Sequence, residues 1–270
     1  MTSSSQPEGE IVPPASYPDA ASRPPAPQPR PQYRSVFSAP GTYLLLGINC
    51  VVFIWMVLHG VSPSDPSPAQ LIHFGATNTF LILHGQWYRL LTATFVHVGL
   101  IHIATNMWCL WNLGLLGEPL LGPMGMIAVY MLTGIAGNLL SMGYNILRHD
   151  YVSVGAGASG AVFGIAGILI VLLSNRKLPI PTFERTRLRR SVIQFALLNL
   201  IIGLGTILLP VIRIDNNAHV GGFLFGLALG VPLVPRMTSG RTRYLERQKI
   251  TFAVAALFLA LFGYFVANLR

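Results

Sequence analysis

A serine, two histidines and an asparagine stand out in a chain that is otherwise poor in polar groups. Ser159 lies in the run Gly155-Ala156-Gly157-Ala158-Ser159-Gly160, whose small residues leave its hydroxyl open to approach by another segment. His219 lies in Asn217-Ala218-His219-Val220-Gly221-Gly222, and it shares one helical face with Gly222, Gly226 and Gly230. A glycine stripe lets a helix press against a second small-faced helix, and Gly160, Gly164 and Gly167 give the Ser159 segment such a face. If the two pack, a hydroxyl meets an imidazole, the minimum arrangement for an activated nucleophile. His102 and Asn106 are four apart, so they share a face. Both can donate hydrogen bonds to charge developing on a carbonyl oxygen.

Each residue alone has a plainer reading. A serine in a membrane helix usually bonds to its own backbone, and His or Asn often joins helices. The set is more specific than its members. Asp215, four residues before His219, reads as loop structure rather than as a third catalytic member, and His97 as an interfacial or structural histidine. The elbow pattern G-x-S-x-G would need glycine where Ala161 stands. A metal site built from His97, His102 and His219 lacks nearby carboxylates or thiolates, so neither metal nor cofactor is expected.

The elements that must position these groups follow from composition. Of 270 residues, 52% are hydrophobic and 10% charged, against about 25% charged in a soluble domain. Apolar stretches at about 42–60, 98–117, 122–143, 155–174, 191–210, 217–235 and 250–268 each approach the ~20 residues a spanning helix needs. The expected fold is therefore all-α: a polytopic membrane helical bundle, since lipid leaves exposed backbone groups unsatisfied. Cys50 and Cys109 both sit in apolar runs, which argues against a disulfide framework.

The net charge of +9 does not indicate nucleic acid, because the basic residues fall in short segments between spans. Fourteen of the 18 Lys and Arg residues lie on one side: in the tail, in 175–190 and in 236–249. Only Arg89, Arg148, Arg213 and Arg270 lie on the other. The positive-inside bias predicts an N-terminus in the cytoplasm and a C-terminus outside. The short loops and the lack of a targeting pattern point to the cell membrane, with an organelle membrane as the alternative. Residues 1–40 hold 10 of the 20 prolines and read as a disordered cytoplasmic tail that lacks the pattern of a cleaved signal. The segment 61–97 is too apolar for a free loop and is expected in the outer interfacial layer.

With these residues in place, the sequence resembles the rhomboid intramembrane serine proteases from about Phe74 to Gly230. Trp87-Tyr88-Arg89 matches that family's W-x-R signature. His97-Val98-Gly99-Leu100-Ile101-His102, then Asn106 and Gly117-Glu118, match its second span. Gly157-Ala158-Ser159-Gly160 matches the G-x-S-G nucleophile motif, and Ala218-His219 with Gly222 and Gly226 matches A-H-x-x-G-x-x-x-G.

The resemblance implies a six-helix core over 41–236, followed by a basic loop and one extra transmembrane helix in 237–270. It implies that Ser159 is the nucleophile and His219 its base, without an aspartate. His102, Asn106 and the Ser159 backbone N–H would form the oxyanion hole, with Arg89 and Glu118 structural. It implies membrane-protein substrates, usually single-pass. Many members carry tyrosine where Phe163 stands, so no acid–base role is expected of that ring. The alternative function is a non-catalytic relative that binds membrane proteins and aids their degradation or trafficking. Such relatives usually lack the serine or the histidine, and this chain has both.

Overall fold

The computed structural model describes residues 38–176, 178, 180–205, 215–234 and 240–268; the expected disordered tail falls almost wholly outside them. Helix α1 (Pro40–Leu58) starts with proline at its first position, where a missing N–H costs nothing. The remaining free N–H groups meet a distant carboxylate. Glu118, only 3% exposed, accepts from Gly41 N (2.8 Å), Thr42 N (2.6 Å) and the Thr42 hydroxyl (2.6 Å). A negative charge at a helix N-terminus also suits the helix dipole.

Between α1 and the next long helix the chain forms α2 (Pro68–His73), β1 (Thr77–Asn78), α3 (Thr79–Leu83) and α4 (Arg89–Thr92). Ser67 and Gln70 close a capping box on α2. The buried Arg89 guanidinium ties the segment together, donating to the carbonyl oxygens of Ile72 (2.6 Å) and Ala76 (2.9 Å) and to Gln86 Oε1 (2.7 Å). Strand β1 pairs antiparallel with β2 (Val154–Gly155), Thr77 opposite Gly155, and so fixes the chain just before Ser159.

Helix α5 (Leu100–Leu147) breaks at Gly122, whose φ of +73° sits between Pro119 and Pro123. Only glycine takes that conformation cheaply. The two spans expected at 98–117 and 122–143 lie on its two halves. Helix α6 (Ser159–Ser174) is the centre of the fold: Ala161, Ile165, Ala166, Ile168, Leu169 and Leu172 are fully buried. A helix apolar on every side belongs in the middle of a bundle. Around it pack α5, α7 (Thr182–Gly205) and α8 (Asn216–Gly230), while α9 (Arg241–Ala267) lies against α5 and α8.

Large apolar residues point outward on α1 and α9, among them Val51, Leu58, Leu257 and Tyr264. In water such surfaces would be a liability; in a membrane protein they face lipid. Among the described residues, α1, α5 and α9 are long and apolar enough to cross a bilayer, and α6 is a shorter apolar helix.

Helix ends depart from the hydropathy reading in consistent ways. Helix α7 begins at Thr182, not 191, and α9 at Arg241, not 250, because Arg, Lys and Glu are good helix formers and carry both helices beyond the apolar layer. Helix α6 begins at Ser159, not 155, since 154–155 is strand, and α8 ends at Gly230, short of 235. Residues 206–210 of the expected fifth span lie outside the described residues.

Candidate active site

Ser159 is the first residue of α6 and is half-buried. The turn before it depends on Gly157, whose φ is +136° and whose N–H donates to the Ala93 carbonyl oxygen (2.9 Å). A β-carbon at Gly157 would stand 2.7 Å from His102 Cε1 and 3.0 Å from its Nε2, so the His102 ring lies directly against this turn. His102 Nδ1 accepts from the Val98 backbone N–H (3.2 Å). A neutral imidazole that accepts at Nδ1 carries its proton on Nε2, so the nitrogen nearest Gly157 is a donor. Asn106, buried one turn along α5, gives one amide hydrogen to the His102 carbonyl oxygen (2.9 Å) and has a second.

His97 is wholly buried beneath the same turn. Its Nδ1 bonds to the Phe95 carbonyl oxygen (3.2 Å), so Nε2 can accept from the Ala158 N–H (3.4 Å), the residue before Ser159. Burial, reinforced by neighbouring His102, lowers its pKa to about 3, so it is neutral at physiological pH. Of the two readings open for His97, interfacial or structural, the second fits: it is an internal support for the serine turn.

Helix α8 is started by Asp215, whose Oδ1 accepts from Ala218 N (3.0 Å) and whose Oδ2 accepts from the Ser141 hydroxyl (2.5 Å). This carboxylate caps α8 and pins it to α5; it makes no bond to the imidazole four residues on. His219 is buried, its Nδ1 has no hydrogen-bond partner among the described residues, and its ring stacks on Phe163 at 4.4 Å and 14°. Phe163 is four residues after Ser159 on α6.

What lets α8 come so close to α6 is the absence of side chains. A methyl group at Gly222 would overlap the carbonyl oxygen of Gly160, and one at Gly226 that of Gly164. A methyl at Gly230 would meet Val171 Cβ at 2.7 Å. Reciprocally, a methyl at Gly160 would stand 3.2 Å from the Ala218 carbonyl oxygen. The stripe headed by His219 is thus a backbone-to-backbone seam with the helix that carries Ser159. Trp87, in the segment between α1 and α5, lies near Gly263 of α9: a β-carbon there would stand 3.6 Å from its ring.

Three supports escaped the sequence reading: the Asp215–Ser141 clamp, the Val98 N–H that sets the His102 tautomer, and the His97–Ala158 bond. An acidic residue just before a helix was the one signal available, for Asp215. Among the described residues no three His, Cys, Asp or Glu side chains gather as a metal would require.

Residues 84–236 match the Rhomboid domain. The chain is 36% identical over 196 residues to Rhomboid protease GluP of Bacillus subtilis (strain 168), covering 71% of this chain and 35% of that protein. It is 30% identical over 209 residues to Rhomboid protease AarA of Providencia stuartii, covering 72% of each. It is 33% identical over 177 residues to RHOMBOID-like protein 5 of Arabidopsis thaliana, covering 65% of this chain and 53% of that one. The match thus spans about a third of the Bacillus protein's length and about half of the Arabidopsis protein's. With a Rhomboid domain over more than half its length, and with the serine turn and histidine helix joined along a glycine seam, the chain belongs to the rhomboid family.

Proposed function

We propose that this chain is an intramembrane serine endopeptidase that cleaves membrane proteins, single-pass ones above all, within or beside a span. Residues 41–236 are its catalytic core, and 237–270 add a basic loop and a further span. The observation that carries the reading is the His219 ring stacked on Phe163, one turn below Ser159, on helices whose backbones meet at Gly222–Gly160 and Gly226–Gly164. Helical residues four apart have Cβ atoms ~5–6 Å apart, so the Ser159 hydroxyl is within reach of a ring held on Phe163.

In this scheme His219 Nε2 takes the proton as Ser159 Oγ attacks the substrate carbonyl, and Nδ1 keeps its own. The C–N bond then breaks, His219 returns the proton to the leaving amine, and water releases the acyl group from the serine. His102 Nε2–H, the second Asn106 amide hydrogen and the Ser159 backbone N–H stabilise the oxyanion. The dyad works without a carboxylate. Asp215 serves the fold, and the Phe163 face orients the imidazole by stacking. The polar residues lie toward the non-cytoplasmic face, from which water enters; the substrate helix must unwind locally to expose its carbonyl.

The test is co-expression with a test substrate of one span, comparing wild type with Ser159→Ala and His219→Ala, together with fluorophosphonate labelling. Both substitutions should reduce cleavage by at least about 10³-fold, and Ser159→Ala should abolish labelling. Cleavage that survives both changes removes the mechanism. A chain that never labels and never cleaves, though folded, fits a binding relative instead.

A further inference from the structure

Away from the dyad, the Ser174 end of α6 meets the start of α7 around a cavity of 360 Å³. Ser174, Arg176, Thr182, Arg185, Thr186 and Arg189 line it, so three guanidinium groups and three hydroxyls converge on one hollow. Arg185 forms the base at 8% exposure, while Ser174, Arg176, Thr182 and Thr186 stand exposed around it. Among the described residues, Arg185 Nη1 donates to the Ser174 carbonyl oxygen (3.3 Å) and Arg189 Nη1 to the Ser174 hydroxyl (3.5 Å). Among the described residues no carboxylate lines the cavity: Glu184 is exposed and lies outside it.

Two ordinary explanations cover only part of this. Arg185 donates to one of the last carbonyls of α6, that of Ser174, a familiar service of arginine at a helix C-terminus. That accounts for one of its five N–H groups, not for the arrival of Arg176 and Arg189 at the same place. The positive-inside bias accounts for basic residues at this end of the bundle, but charges that only set orientation can stand apart in solvent. Bringing two further cations beside a buried guanidinium is unfavourable unless an anion sits among them.

Arginine's planar fork matches phosphate oxygens two at a time, and hydroxyls complete the shell. The volume lies at the small end of ligand sites, right for a headgroup and too small for an acyl chain. We propose that this cavity binds a phosphate group, carried by an anionic phospholipid headgroup or as free phosphate. The charge count puts this end of the bundle at the cytoplasmic leaflet, where anionic lipids draw basic segments.

The full chain, purified in neutral detergent, is tested in two arms. Native mass spectrometry compares retention of phosphatidylglycerol with that of phosphatidylcholine, and thermal unfolding compares inorganic phosphate with chloride at equal ionic strength. Arg176→Gln and Arg189→Gln are read beside Arg185→Gln, which as a buried residue could fail to fold, and beside Arg243→Gln on α9 as control. Selective phosphatidylglycerol retention, weakened about tenfold or more by Arg176→Gln and Arg189→Gln but not by the control, supports the lipid source. A phosphate-induced rise in unfolding temperature with the same variant pattern, and no lipid selectivity, supports free phosphate. Equal retention of both lipids with no phosphate effect overturns the proposal, as does loss that is the same in the control.

Discussion

Replacing Gly222 by alanine tests whether the backbone seam sets the catalytic geometry. The new methyl group would stand 2.8 Å from the Gly160 carbonyl carbon and 3.2 Å from its α-carbon. Carbon atoms prefer about 3.5–4.0 Å, so α6 and α8 must part by roughly an ångström. Both sides of the contact are backbone, so no rotamer change relieves it, and the cost belongs at the upper end of the overpacking range, about 3 kcal/mol. Alanine's better helix propensity returns about 1 kcal/mol. The net loss is about 2 kcal/mol, a lower unfolding temperature in detergent.

Activity should fall further than stability. Gly222 is one turn from His219, and Gly160 adjoins Ser159. A misplacement of about 1 Å can cost about 10²-fold in rate. Initial cleavage rates in proteoliposomes measure that loss at a temperature where the variant stays folded. Gly47→Ala on α1 is the control: nothing lies within 4 Å of its added carbon. It should match wild type in rate and be up to about 1 kcal/mol more stable. A Gly222→Ala protein that cleaves within about twofold of wild type, with unchanged unfolding, would refute the reasoning.

Two further substitutions test the supports around the site. Asp215→Ala removes a cap worth about 1 kcal/mol and strands the Ser141 hydroxyl, adding a similar amount. Thermal unfolding of Asp215→Ala, Ser141→Ala and the double variant should give a clear coupling energy, and simple additivity would deny the clamp. Glu118→Gln turns one accepting oxygen into a donor facing the Gly41 and Thr42 donors, with an expected loss of about 2–3 kcal/mol. Amide exchange at the start of α1 should rise selectively; protection equal to wild type there would show that α1 holds without the carboxylate.

The parts of the fold that announce themselves in the sequence are those governed by local chemistry. Apolar runs, the small residues around Ser159 and the stripe after His219 are all periodic or contiguous, so pattern alone finds them. Proline and glycine at 119–123 mark the break in α5 in the same way. What stayed hidden is either polar helix or distant pairing. Residues 182–190 carry four arginines and look like a loop to hydropathy, yet they continue α7, because a helix need not stop where lipid does. The pairing of Thr77 with Gly155 is two residues long, and the bonds of Tyr130 to Asn49 and to the Thr94 carbonyl join positions 81 and 36 apart. Such contacts leave no local trace. Asp215 illustrates the boundary: an acid before a helix hints at a cap, but its partner Ser141 is 74 residues away.

The contact between α8 and the helix bearing Ser159 has one more consequence. Surfaces made of side chains can open and reclose through a series of alternative rotamers, but one made of peptide groups has no such series. It is either seated or broken. The pair therefore forms a fixed keel, and under the proposed function any element that moves to admit a substrate would hang from it rather than form part of it. Helix α7, which packs against α6 with large side chains such as Phe195, is built from material that can shift. Inhibitors that stiffen that flank would then slow turnover while leaving the serine and its histidine untouched.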